Sequence, residues 1–109
     1  MTQKRKRAVV KDKDYTLPLT DVDWVRIYFS TSNGKLRKFI VQYYSLINGK
    51  KRCIIRIDNC HGYPHRHTYY SNKREANVSI GRDAKQAFTE AREYVIIHFQ
   101  SIKDNYLLN

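Results

Sequence analysis

The sequence predicts an α+β domain: an antiparallel β-meander of four to five strands, with one long C-terminal helix packed on one face. Three observations carry this. Asn33-Gly34 and Asn48-Gly49 separate three runs rich in β-branched and aromatic residues. Asn-Gly suits the tight hairpin turn whose two central residues both need positive φ. From Ala84 to Tyr106, apolar residues recur at three- and four-residue spacing, which draws one buried helical stripe. A length of 109 residues with 41% hydrophobic content fits one domain around one core.

Residues 1–14 read as a flexible basic arm, with Lys4, Arg5, Lys6 and Arg7 as candidate phosphate contacts. Residues 15–109 form the single domain. Within it, residues 15–20 suit a short edge strand, since Pro18 has no amide to donate. Residues 23–31, 36–47 and 51–59 are the three meander strands. Two-residue turns set a register in which Trp24 faces Tyr43, Arg26 faces Val41 and Tyr28 faces Phe39. In the next hairpin Tyr43 faces Ile54 and Val41 faces Arg56. One sheet face then carries Val25, Ile27, Phe29, Ile40, Tyr44, Cys53, Ile55 and Ile57, and takes the helix. The other carries Trp24, Arg26, Tyr28, Phe39, Val41, Tyr43, Ile54, Arg56 and Asp58, and stays open for function. Residues 60–66 are a loop broken by Gly62 and Pro64. Residues 67–71 make a further strand, and residues 76–80 suit a short extra one. The helical stripe is Ala84, Ala87, Phe88, Ala91, Val95, Phe99, Ile102 and Tyr106.

The net charge is +11. From residue 82 onward the charges cancel, and the first 14 residues contribute +4, so +7 lies in residues 15–81. A polyanionic partner follows, RNA or another nucleic acid. No apolar run approaches the ~20 residues of a membrane span, so no membrane partner is expected. The first residues hold no apolar core of a secretory signal, and a cytoplasmic location is expected. Cys53 and Cys60 are too few for a disulfide framework.

Three of the four histidines fall between Asp58 and His67, beside Cys60 and Arg66. Three chemistries use such a set. His65-x-His67 puts two imidazoles on one side of an extended segment, and Asp58, Cys60 or His61 can complete a zinc tetrahedron, although the spacing matches no standard zinc motif. RNA cleavage through the ribose 2′-OH needs a base and an acid, roles that histidine fills near neutral pH. Arginine supplies bidentate charge to the phosphorane, a role for Arg56 and Arg66. Binding without catalysis uses rings to stack bases, and Trp24, Tyr28, Phe39 and Tyr43 with Arg26 and Arg56 fit that. The same rings suit a dimer interface. Tyr69 or Tyr70 is placed to donate to a phosphate.

The run Ile55-Arg56-Ile57-Asp58-Asn59-Cys60-His61-Gly62-Tyr63-Pro64-His65-Arg66-His67, after a meander, resembles the TumE-like family of small toxin–antitoxin proteins. In that family a strand ending in an R-x-D-N-like sequence runs into a His-rich loop and a Pro-His-x-His strand. The resemblance covers roughly residues 36–70, and Arg56, Asp58, Asn59, His61, His65 and His67 match. It implies RNA cleavage by a toxin held in check by a helix-turn-helix antitoxin. The leading expectation is a metal-independent endoribonuclease with no cofactor. His61 and His67 form the acid–base pair beside His65, Arg56 and Arg66 hold phosphate, and Asp58 orients a histidine. The alternative is a non-catalytic nucleic-acid-binding or accessory protein.

Overall fold

The computed structural model describes residues 9–60, 62, 64–69, 76–79 and 83–108. Six strands form one antiparallel sheet in chain order: β1 (Val10–Thr20), β2 (Asp23–Ser32), β3 (Lys35–Ile47), β4 (Lys50–Asp58), β5 (His65–Thr68) and β6 (Ala76–Ser79). The helix α1 (Ala84–Leu108) follows. This is the predicted α+β architecture. It differs at two boundaries: residues 10–14, read as part of the arm, pair with Ser32–Tyr28 as the first half of β1, and His65 and Arg66, read as the end of a loop, already pair with Asp58 and Ile57 as the start of β5. Lys4, Arg5, Lys6 and Arg7 lie outside the described residues.

Both hairpin turns form as the Asn-Gly pairs require. Asn33 and Gly34 have φ of 52° and 79°, and Asn48 and Gly49 have 51° and 77°. Near each turn the pairing is the predicted one, Ser32 with Lys35 and Ile47 with Lys50. Two bulges then change it. Ser30 pairs with Lys38 but Thr31 with Leu36, which leaves Arg37 as an extra residue. Tyr43 pairs with Ile55 but Tyr44 with Cys53, which leaves Ile54 extra. Each bulge shifts one strand by one residue relative to its partner, and the side-chain period is two. The faces of β3 are therefore exchanged over most of its length relative to the simple register. Phe39, Val41 and Tyr43 turn toward the helix, while Ile40, Gln42 and Tyr44 turn away.

The core is built on that exchange. Val25, Ile27, Phe39, Val41, Tyr43, Ile55 and Ile57 are all buried, and pack with Ala87, Ala91, Val95, Ile102 and Tyr106 of α1. Phe88 stacks between Phe29 and Phe39, with ring centroids 5.3 and 5.5 Å away. The Tyr43 ring meets Phe99 edge-on at 5.9 Å. The predicted helical stripe is the stripe that packs. Asp83 caps α1, its carboxylate accepting from the Gln86 amide at 2.8 Å.

One polar cluster pins the helix to the sheet. Asp23 is 2% exposed and accepts from Tyr43 Oη at 2.6 Å, from Ser45 Oγ at 2.7 Å and from Thr20 Oγ1. Lys103 of α1 brings its ammonium to 3.5 Å. Burial pushes the Asp23 carboxyl up, but the three hydroxyl donors and the lysine outweigh it and hold it below its usual range. Among the described residues no helix is long and apolar enough to cross a membrane.

Candidate active site

The pairing of β4 with β5 sets the site. Arg56 lies opposite His67, and Asp58 opposite His65. Residues opposed in an antiparallel pair share a face, and residues two apart on a strand share it too. All four side chains therefore lie on the sheet face away from α1. Pairing begins at His65 because the chain turns back soon after Asp58, with Gly62 at φ 90° in the connection.

Asp58 is 1% exposed, yet both of its oxygens are bonded. Oδ2 accepts from Arg56 Nε at 2.7 Å, and Oδ1 accepts from the Cys60 amide at 2.9 Å. Burial pushes its carboxyl up, but the Cys60 amide, Arg56 and the neighbouring His65 together hold it below the usual carboxylate range. It is an anion at neutral pH. The His65 and His67 rings meet edge-to-face at 4.2 Å, with His65 buried and His67 half-buried. Donor atoms of Asp58, His65 and His67 all lie within 4.8 Å of one another. Arg56 Nη2 reaches Cys60 Sγ at 3.9 Å. A fixed anion, a guanidinium and two imidazoles thus converge where the sheet ends. Such a group can move a proton, hold a phosphate or bind a metal ion.

Asn59 has a structural task beside it. Its Oδ1 accepts from the Phe39 amide at 2.9 Å, and its Nδ2 donates to the Arg37 carbonyl at 2.9 Å. The side chain imitates one more strand residue and braces β3 at its first bulge.

The other predicted residues divide. His61 and Tyr70 lie outside the described residues. Arg66 pairs with Ile57, and so points toward the helix. Its guanidinium sits over the Tyr94 ring at 5.1 Å and lines a cavity with Ile57, Glu90 and Ala91. It does not join Arg56, because one position along a strand reverses the face. Tyr43 is also removed from the open face: the first bulge sets it opposite Val25 on the helix side, where it is completely buried with its hydroxyl on Asp23. Arg26 does lie on that face, but its donors are largely engaged. Nε and Nη2 bond Asp14 at 3.0 and 2.7 Å, and Nη1 bonds Gln42 at 2.8 Å. Trp24 and Tyr28 lie half-buried on the same face. Tyr69 is half-buried and feels the charges of Arg56 and Asp58; burial pushes its hydroxyl up.

Tyr44, which the simple register put on the helix side, and Lys51 are also members of this face. Lys51 Nζ lies 5.2 Å from the Trp24 ring centre and 5.1 Å from that of Tyr44, a cation shared by two rings. A signal for the bulge was present in Ile54-Ile55, two consecutive large apolar residues that are both buried.

The fold and site define a small antiparallel sheet, backed by one helix, with an Arg–Asp–His–His cluster on its uncovered side. By sequence, residues 9–109 match the family described as Domain of unknown function (DUF7718), and the chain belongs to that family. No curated protein and no solved structure matches it.

Proposed function

We propose that the protein acts on RNA as a metal-independent endoribonuclease, in the manner implied by its resemblance to TumE-like toxins. The observation that carries this is the convergence of Arg56, Asp58, His65 and His67 on the uncovered face at paired register positions. His67, half-buried and opposite Arg56, takes the 2′-OH proton. Arg56, anchored through Nε on Asp58 and through Nη2 on Cys60 Sγ, meets the charge that builds on the phosphate. Asp58 and His65 stand behind as positioning groups. The second proton-transfer role belongs to His61, on the sequence reading alone. A helix-turn-helix antitoxin is the partner that the resemblance implies.

Non-catalytic binding to nucleic acid is favoured by a different observation, the row of Trp24, Tyr28 and Tyr44 with Lys51 on the same face. One experiment separates the two. Purified protein is incubated with structured RNA in EDTA. The nuclease assignment predicts cleavage, reduced at least about 100-fold in His67→Ala. Intact RNA, bound with steep salt dependence and released by Arg56→Ala, supports the binding module instead. Cleavage unchanged in His67→Ala removes the proposed base.

A further inference from the structure

The donors at the end of β4 and β5 are also a ligand set. We infer that Asp58, His65 and His67 form a binding site for a late first-row divalent ion of the zinc class. The inference goes beyond the nuclease assignment and does not depend on it.

Backbone pairing is the first support. Asp58 and His65 are directly opposed in the β4–β5 ladder, and His67 is two residues further along the same face. Three ligands on two hydrogen-bonded strands need no folding of a loop to come together. Their donor atoms already lie within 4.8 Å of one another. Two ligands of one tetrahedral zinc ion, at about 2.0–2.1 Å from the metal, sit about 3.3 Å apart. The widest pair therefore has about 1.5 Å to close, within reach of ring rotation about χ1 and χ2.

Outer contacts are the second support. A ligating carboxylate is usually held by hydrogen bonds of its own. Asp58 has two, from Arg56 Nε and the Cys60 amide, one on each oxygen. A carboxylate oxygen carries two lone pairs, so one held by a donor can still bind a metal. Asp58 is buried, with both oxygens held in place before any ion arrives.

The donor set also selects the ion. Calcium and magnesium take oxygen ligands, six or more of them, and only one carboxylate is present here. The positive charge of Arg56 beside that carboxylate weakens it further for hard cations. Two imidazoles suit zinc, cobalt, nickel and copper. A fourth ligand would come from solvent or from Cys60, whose amide already lies on Asp58. An ion on both imidazoles occupies the lone pairs that a general base needs, so the loaded chain has no base at His67.

The test uses the full chain, stripped with EDTA and desalted, and no RNA. Zn2+ and Co2+ are titrated by calorimetry, and Co2+ also by visible absorption. One ion per chain is expected, with the intense visible bands of four-coordinate Co2+ and no detectable response to Mg2+. His65→Gln and His67→Gln should each weaken binding at least about 10-fold. His98→Gln, a histidine on the exposed side of α1, should leave it unchanged. Circular dichroism of each variant confirms the fold. Asp58→Asn offers a second route, since an amide keeps the shape but not the charge; it too should weaken zinc. Absence of stoichiometric binding, or binding that survives both His65→Gln and His67→Gln, overturns the site.

Discussion

Tyr43→Phe separates the bulged register from the unbulged one. In the structure the Tyr43 hydroxyl donates to Asp23 Oδ1 at 2.6 Å, and neither residue is exposed beyond 2%. Phenylalanine keeps the ring, its edge-on contact with Phe99 and nearly all the volume, so no cavity opens. What is lost is one hydrogen bond to a buried charge. Asp23 keeps Thr20, Ser45 and the Lys103 ammonium, so the anion is not orphaned. A bond to a charged group contributes about 1.5–3 kcal/mol. The expected loss is about 2 kcal/mol, a factor of about 30 in the folding equilibrium. For a domain of this size that lowers Tm by about 8 °C. Urea titration should show a lower midpoint with an unchanged slope. A cycle with Asp23→Asn should show strong coupling between the two positions. Binding of RNA, measured on the same preparation, should not move. A loss under about 0.5 kcal/mol together with weaker RNA binding would place the ring on the open face and refute the bulge.

Acid should unfold the protein partly through the same carboxylate. The folded pKa of Asp23 lies below its ordinary 3.8, so its contribution is complete above that value and is lost as pH falls through the folded pKa. Denaturant titrations from pH 6 to pH 2 should show stability dropping below about pH 4, with a shallower drop in Asp23→Asn; an identical drop would contradict this. The two thiols should differ in reactivity. Cys53 is mostly buried, which pushes its thiol up to about 11, whereas Cys60 is exposed. At pH 8 a thiol reagent should label one site quickly, and Cys60→Ser should abolish that fast phase; fast labelling of Cys53 would show the sheet opening there. Gly34→Ala places a Cβ at φ 79° with no atom within 4 Å, so its cost is conformational, about 1–2 kcal/mol. Unchanged stability in that variant would mean the turn is not held in this form.

The meander, its turns and the helical stripe were legible because each rests on local chemistry. Asn33-Gly34 and Asn48-Gly49 have few alternatives, and Ala87, Ala91 and Val95 repeat at the helical period. The face of β3 was not legible. Phe39-Ile40-Val41 and Tyr43-Tyr44 are apolar or aromatic on both sides, so alternation gives no preference, and the decision falls to tertiary packing. Phe39, Val41 and Tyr43 fill the space under Phe88 and Phe99, and the two bulges make that possible. The candidate site was partly legible for the same reason. Asp58 and His65 through His67 cluster in sequence, but their grouping depends on which residue opposes which. Once β5 starts at His65, Arg56 joins His67 and Arg66 departs to the helix side. Nothing in the local sequence distinguishes a strand that begins at residue 65 from one that begins at 67.

The first half of β1 lies along an outer border of the sheet, and its lysines and aspartates are sorted by face. Lys13 stands opposite Phe29, and Asp14 opposite Tyr28. Lys11 and Lys13 therefore share the helix side, while Asp12 and Asp14 share the other. Two copies joined border to border by a two-fold axis would oppose residues of the same face. Wherever two of these four charges meet, lysine faces lysine or aspartate faces aspartate, which is unfavourable. The border thus discourages endless sheet growth between molecules without a proline or a cap in this half of the strand. It stays open to a foreign strand whose acids fall on one face and whose bases fall on the other.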